Sequence, residues 1–276
     1  TARSRGLGDV YKRQIMNGID GGELISPTLT FEAINQFASK TMKTNVVRVP
    51  MTKEIGIDLK TTGQMVNSKT NMVYLCNPNN PTGVIMNPKE LEVFCKETSK
   101  KSIVFVDEAY HEYVMDKQYR SMVSLVNEGY DVLISRTASK VHGLAGLRVG
   151  YAISTPKIIK RLNSYMNGSL NVVGLRGAIA SYKDKRFQKF SIEKNNEGRT
   201  IVTDYLDKKG IEYLDSQTNF IFIKTGIDIK KFQPAMEKHK VLVGRPFPPY
   251  TDWCRLSIAK PEEMESFNKG FNKELG

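Results

Sequence analysis

Short apolar runs, each bordered by a polar residue, constrain this chain more than any other feature. Residues 72–76 are apolar and stop at Asn77, and 103–106 stop at Asp107. Residues 131–134 run into the segment from Ser135 to Lys140, and 149–153 follow Arg148. Apolar runs of four or five residues suit strands buried on both faces, as in a parallel sheet. The intervening stretches 88–100 and 121–128 have helical spacing. Alternating strands and helices predict an α/β fold, with a mostly parallel sheet flanked by helices. Ligands in such sheets bind beyond the carboxyl ends of the strands. The closing polar residues fall there.

The texture changes after residue 153. A helix is predicted over 156–167, and the long stretch 171–209 reads as two helices. Strand-like pieces recur at 211–214, 220–224, 241–243 and 254–258, with helices at 228–238 and 262–271. This predicts a smaller C-terminal α+β domain. The expected division is 15–166 for the large domain and 167–276 for the connecting helices and small domain. Residues 1–14, TARSRGLGDVYKRQ, show no apolar periodicity. They read as adapter-like sequence, or as a flexible arm, and are set aside from the fold.

Composition excludes several classes of function. No run of about 18 apolar residues exists, so no membrane span is predicted. Cys76, Cys95 and Cys254 are widely spaced, and neither they nor His111, His142 and His239 form a metal-ligand pattern. Reduced thiols and a cytoplasmic location are expected. The net charge of +12 is scattered rather than gathered in a basic arm or stripe, so nucleic acid is not a predicted partner. A basic surface suits anionic small molecules equally well.

Four residues stand out against this background. Lys140 lies in SKVHGLAGLRVGY (139–151), Arg148 follows eight residues later, and Asp107 and Tyr110 lie upstream in VDEAY. An amine for a Schiff base, a carboxylate to keep a ring nitrogen protonated and a guanidinium for a phosphate are what pyridoxal phosphate requires of a protein. Each residue also has a plainer reading. Lys140 could be a solvated lysine, and Asp107 a strand-end helix cap. Asn80-Pro81-Thr82-Gly83 could be an ordinary turn, and Gly143 and Gly146 generic loop glycines.

The order Asn-Pro-Thr-Gly (80–83), Asp107-Glu-Ala-Tyr110 and Ser139-Lys140 with Arg148 resembles the class I/II aminotransferases of pyridoxal-phosphate fold type I. Within these it is most similar to the histidinol-phosphate aminotransferase-like branch. The resemblance covers nearly all of residues 15–276, and it implies a role for each matching position. Lys140 would hold the cofactor covalently and move a proton during catalysis. Asp107 would pair with the pyridine nitrogen, and Tyr110 and Asn80 would reach the ring's phenolic oxygen. Arg148, Ser139 and Thr137 would bind the phosphate, with Gly143 and Gly146 allowing the tight loop. Arg255, in WCRLSIAKPEEM (253–264), would bind the substrate's carboxylate or phosphate. Asn219 and Arg245 are further substrate-side candidates. Phe31 is the candidate for stacking on the ring, with a core phenylalanine as the alternative. His142 reads as a packed loop residue. The family also carries an upstream glycine-containing loop and an N-terminal part of the small domain, and the chain is expected to lack part of both.

The resemblance implies transamination between an amino acid, or an amino-alcohol phosphate such as histidinol phosphate, and a 2-oxo acid, carried out by a homodimer. The same scaffold can also support β-elimination or decarboxylation. It can also serve as a non-catalytic sensor, and a fragment of it could be inactive. Lys224-Thr225-Gly226 matches one motif of penicillin-recognising enzymes. The accompanying Ser-x-x-Lys and Ser-Asp-Asn are missing, so it is set aside.

Overall fold

A computed structural model describes residues 22–165 and 171–275. The 1–14 segment lies outside the described residues. Six strands form the main sheet: β1 (Glu23–Pro27), β2 (Asn45–Val49), β3 (Thr70–Cys76), β4 (Ile103–Asp107), β5 (Val132–Thr137) and β6 (Gly150–Ile153). Their spatial order is β2-β1-β3-β4-β5-β6. The pairings from β2 through β5 are parallel, and β5 pairs with β6 antiparallel. The fold is therefore α/β with a mostly parallel sheet, as the apolar runs predicted. The edge strand β6 is the exception, because it follows β5 through a short loop rather than a helical crossover.

Strand alternation divides the side chains between two cores. Val73, Leu75, Val104, Val106, Val132 and Ile134 face one side. There they meet α3 (Pro88–Thr98) through Leu91, Phe94 and Cys95, and α4 (Val123–Asn127) through Leu125. Met72, Tyr74, Cys76, Phe105 and Leu133 face the other side. They meet α1 (Glu32–Thr41) through Ile34 and Ala38, and α5 (Pro156–Asn163) through Ile158 and Leu162. The α3 start follows standard capping chemistry. The Asn87 side chain accepts from the amides of Lys89 and Glu90, and Pro88 occupies the first turn, where no amide bond is lost. A short helix, α2 (Leu59–Met65), connects β2 to β3.

The C-terminal part is built on the long helix α7 (Lys185–Lys209), which follows α6 (Val172–Lys183). The side chain of Asp184 caps α7 at its start, and left-handed Gly210 closes it. Strands β7 (Phe220–Lys224) and β8 (Trp253–Ser257) pair antiparallel. One face of this small sheet packs on α7, α8 (Ile229–Glu237) and α9 (Pro261–Leu275), burying Val202, Leu206, Phe232, Met236, Phe267 and Phe271. On the other face Phe222 and Trp253 stack at 5.1 Å. They join Phe247 with Leu29 and Ile55 of the large-sheet half, so an apolar contact connects the two parts.

Three sequence expectations need correction here. Residues 211–214 form no strand and contribute one isolated bridge, Tyr213 to Ile223. Residues 241–243 form no strand either. Leu242 is 81% exposed, and β-branched residues without a partner strand have no ladder to join. The helix expected over 156–167 ends at Asn163, and 166–170 lie outside the described residues. The two-helix reading of 171–209 matches α6 and α7.

Candidate active site

The carboxyl ends of β3, β4 and β5 open onto one cavity of about 170 Å³. Phe31, Asn80, Asp107, Tyr110, Thr137, Ser139, Lys140 and Arg148 all line it. Eight residues spread over more than a hundred positions of sequence are thus gathered in one place by strand ends and the loops after them.

Asp107 is the last residue of β4 and is 2% exposed. It pairs across the sheet with Ser135 of β5 and Cys76 of β3. Ser135 Oγ donates to Asp107 Oδ1 at 2.7 Å, and the Tyr74 hydroxyl donates to Oδ2 at 3.2 Å. The next residue, Glu108, points into a different network. It accepts from Arg136 Nη2 at 2.9 Å, from Ser121 Oγ, and from the Met122 amide at 2.9 Å. This buried carboxylate is compensated by a guanidinium, as burial demands.

Lys140 sits in the β5–β6 loop. The Gly143 amide closes a turn on the Lys140 carbonyl at 2.9 Å, and the Leu144 amide bonds the Ala138 carbonyl at 3.0 Å. Gly143 has φ +67°, which favours glycine at that position. Gly146 has no positive φ and open space around it, so the loop does not require a glycine there. Lys140 Nζ lies 4.8 Å from the centroid of the Tyr110 ring. Tyr110 is buried, edge-on to Phe220 at 5.1 Å.

Asn80 connects the two halves of the molecule. Its Nδ2 donates to the Tyr110 hydroxyl at 3.3 Å, and its Oδ1 accepts from Arg255 Nη1 at 2.7 Å. The turn that carries it is held by Asn79, whose Nδ2 reaches the Leu29 carbonyl and Thr82 Oγ1, both at 3.0 Å. Gly83, at φ +79°, leaves no room for a Cβ against Ser216. Glycine is therefore needed here for both conformation and close approach.

Arg148 adopts a left-handed backbone, φ 58° and ψ 45°, uncommon for a non-glycine residue and characteristic of functional loops. Its Nη1 donates to the Ala145 carbonyl, while its Nε is buried without a partner among the described residues. Thr137 Oγ1 and Ser139 Oγ lie 2.8 Å apart at the same end. A guanidinium and two hydroxyls there form a donor set suited to a phosphate.

Arg255 does not line the cavity itself but stands next to it through Asn80. Its guanidinium lies 5.1 Å from the Phe220 ring centroid and 5.5 Å from that of Phe247. Burial lowers its pKa below the ordinary arginine range. No carboxylate pairs with it among the described residues, and its Nε is buried without a partner. Arg245 lies on the same Phe247 ring at 4.2 Å and bonds the Pro246 carbonyl. It lies outside the cavity lining, on the Arg255 side. Asn219 is placed elsewhere. It lines a separate groove with Tyr113 and Asn195, and its carbonyl accepts from the Ile258 amide at 2.9 Å. Asn219 is therefore not among the residues that line the Lys140 cavity.

Tyr74, Cys76, Ser135 and Arg136 were not singled out from the sequence. Tyr74 and Cys76 lie inside an apolar run and read as core. Ser135 carried a usable signal, since it immediately follows the β5 apolar run, as Asp107 follows that of β4. His142 is buried, as a packed loop residue should be. Its Nδ1 lies 3.0 Å from Ser181 Oγ, and its Nε2 lies 3.6 Å from Glu112 Oε1. Glu112 also meets His111 Nε2 at 3.1 Å. Burial pushes its carboxyl up, but the bonds from His111 and His142 prevail and hold it at about 2. Among the described residues, no group of His, Cys, Asp or Glu could hold a metal ion. No helix there is long and apolar enough to cross a membrane.

Comparison with known proteins agrees with this geometry. The histidinol-phosphate aminotransferase 2 of Hydrogenovibrio crunogenus is 34% identical over 259 residues, covering 92% of this chain and 69% of that protein. The histidinol-phosphate aminotransferase of Brevibacillus brevis is 37% identical over 215 residues, covering 76% and 57%. The chain therefore spans between about half and two thirds of the length of such relatives. A solved structure from Erwinia carotovora atroseptica matches with TM-score 0.91 at 32% identity, over 97% of this chain and 79% of that one. The histidinol-phosphate aminotransferase of Sinorhizobium meliloti, solved with pyridoxal 5'-phosphate, shares the fold at TM-score 0.84 and 23% identity, over 97% and 75%. The model of the aminotransferase class I and II family matches residues 13–269, and the chain belongs to that family.

Proposed function

We propose that this protein is a pyridoxal-phosphate-dependent aminotransferase. In this reading it moves an amino group between an amino acid, or an amino-alcohol phosphate such as histidinol phosphate, and a 2-oxo acid. One observation carries the reading: Lys140, Tyr110, Asp107, Asn80 and Arg148 line a single cavity. The residues fit the cofactor. The buried Arg148 Nε has no partner among the described residues and belongs to a guanidinium lining the cavity beside two hydroxyls, where a phosphate would supply an acceptor.

In this reading Arg148, Thr137 and Ser139 hold the phosphate. Asp107 would pair with the pyridine nitrogen, Tyr110 and Asn80 would take the ring oxygen, and Phe31 would face the ring. When bound, the cofactor supplies a protonated aromatic ring that accepts the electrons released at the substrate's Cα. Lys140 Nζ removes the proton from that carbon and delivers it one position along. Its place 4.8 Å from the Tyr110 ring centroid holds the amine in the cavity where that proton would move. Arg255 anchors an anionic group of the substrate, and Arg245 adds positive potential beside it.

We assign residues 15–166 to the cofactor-binding domain and 167–276 to the connecting helices and the small domain. Two copies are proposed to pair. The exposed apolar residues Val172, Val173 and Ile179 on α6, with Phe187 and Phe190 on α7, support a buried contact there. The buried free thiols Cys95 and Cys254 suit a reducing cytoplasm. The test is a panel of amino donors offered to the protein loaded with pyridoxal 5'-phosphate, with product identification. Formation of pyridoxamine phosphate and a matching 2-oxo acid or aldehyde is expected. Release of carbon dioxide or an eliminated group without amino transfer would replace this reading with decarboxylation or elimination.

A further inference from the structure

We propose that Tyr74 and Ser135 are positioning residues that hold the Asp107 carboxylate in place at the Lys140 cavity, one hydroxyl on each carboxylate oxygen. The inference rests on the reading of Asp107 as partner of the ring nitrogen and adds how that carboxylate is kept fit for the role.

The sheet register makes the arrangement. Asp107 on β4 stands directly opposite Ser135 on β5, so both side chains leave the sheet on one face. Its partner on β3 is Cys76, and Tyr74 lies two residues earlier on the same face. The tyrosine ring spans that two-residue step and delivers its hydroxyl to Oδ2 at 3.2 Å, while Ser135 meets Oδ1 at 2.7 Å. Tyr74 and Phe105 are fully buried and Ser135 is 2% exposed. The Tyr74 ring is tilted against Phe105 at 5.2 Å.

A carboxylate so far from water needs hydrogen-bond donors on its oxygens to stay in one orientation. Tyr74 and Ser135 are both neutral donors. They stabilise the anion without bringing a counter-charge of their own, unlike the guanidinium of Arg136 at neighbouring Glu108. Burial and then the Asp107 carboxylate push the Tyr74 hydroxyl well above the ordinary tyrosine range, so it remains a donor across the working pH range. Other groups also face Asp107. Cys76 on β3 donates its thiol to the Pro78 carbonyl at 3.2 Å, and Arg136 on β5 is paired with Glu108. Tyr110, Lys140 and Arg148 complete the cavity wall. All are unchanged when only a Tyr74 or Ser135 hydroxyl is removed.

The experiment measures the Kd of pyridoxal 5'-phosphate at neutral pH for the wild type, Tyr74→Phe, Ser135→Ala, Ser135→Thr, the Tyr74→Phe/Ser135→Ala double variant and Asp107→Asn. Loosening the carboxylate weakens cofactor binding, by on the order of tenfold per hydroxyl removed. The double variant weakens furthest, and Ser135→Thr, which keeps a hydroxyl, restores the affinity lost in Ser135→Ala. Melting of the cofactor-free protein separates this from damage to the fold, because Tyr74→Phe keeps the ring packed on Phe105. If Tyr74→Phe does not fold, Ser135→Ala carries the comparison. Equal affinities for the wild type and the hydroxyl variants, with Asp107→Asn weakened, would overturn the positioning role alone. Wild-type affinity in Asp107→Asn would overturn the reading of Asp107 as well.

Discussion

Replacing Arg255 with glutamine tests whether this arginine serves the substrate or the fold. The wild-type side chain is a mostly buried cation with one hydrogen bond to Asn80, two aromatic neighbours and no carboxylate partner among the described residues. Without substrate, the variant loses about 1.5–3 kcal/mol for the charge-assisted Asn80 bond and about 0.5–1 kcal/mol for each ring contact. It recovers the penalty of desolvating a cation, itself several kcal/mol. The two nearly cancel, so the stability of the substrate-free protein should change by no more than about 2 kcal/mol in urea unfolding. Substrate recognition has no such compensation. A lost charge-assisted bond to an anionic group costs about 1.5–3 kcal/mol, or roughly 10- to 150-fold in kcat/KM. The loss should appear mainly in KM for carboxylate or phosphate donors. A variant destabilised by more than about 4 kcal/mol with kcat/KM unchanged would refute the argument and make Arg255 a structural residue.

Two further outcomes follow from the geometry. The Glu112 carboxyl lies at about 2 in the folded protein against 4.5 for the free group. Its contribution, on the order of 3 kcal/mol, is therefore present above pH 4.5 and lost as pH falls toward 2. Glu112→Gln should flatten that part of the acid-unfolding curve, and an unchanged curve would show that the contacts with His111 and His142 do not stabilise the fold. Gly83→Ala should cost about 2–5 kcal/mol, from a left-handed alanine of about 1–2 kcal/mol and overpacking against Ser216 of about 1–3 kcal/mol. Denaturant midpoints measure it, and a loss below about 0.5 kcal/mol would mean that the Asn80 turn is not held against the 216–218 segment.

The sequence made the centre of the sheet readable and left its edges obscure. β3, β4 and β5 are buried on both faces and so appear as unbroken apolar runs. Each is followed by a polar residue where the chain leaves the core, which places Asn80, Asp107, Tyr110 and Lys140 at one end. β2 shows the opposite pattern. Only Val49 of its five residues is buried, so an edge strand leaves a faint signal. Residues 241–243 have strand composition but no partner strand among the described residues, and pairing is a long-range property that local composition does not report. The same limit applies to the site. Lys140 and Arg148 were found by type and spacing. Tyr74 was hidden because a tyrosine inside an apolar run looks like core, and only the register with β4 brings its hydroxyl to Asp107. Asn219 shows the complementary limit. It stands one residue before β7, yet the small sheet turns that position into a different groove.

The central claim is that Lys140 Nζ moves the proton in a cavity that holds pyridoxal 5'-phosphate. The most direct measurement is single-turnover conversion of bound pyridoxal phosphate to pyridoxamine phosphate on addition of an amino donor, in the wild type and in Lys140→Ala. The wild type should convert. The variant should still take up the cofactor through Arg148, Thr137, Ser139 and Asp107, yet convert it about 100- to 10,000-fold more slowly. Conversion by Lys140→Ala at the wild-type rate would contradict the account.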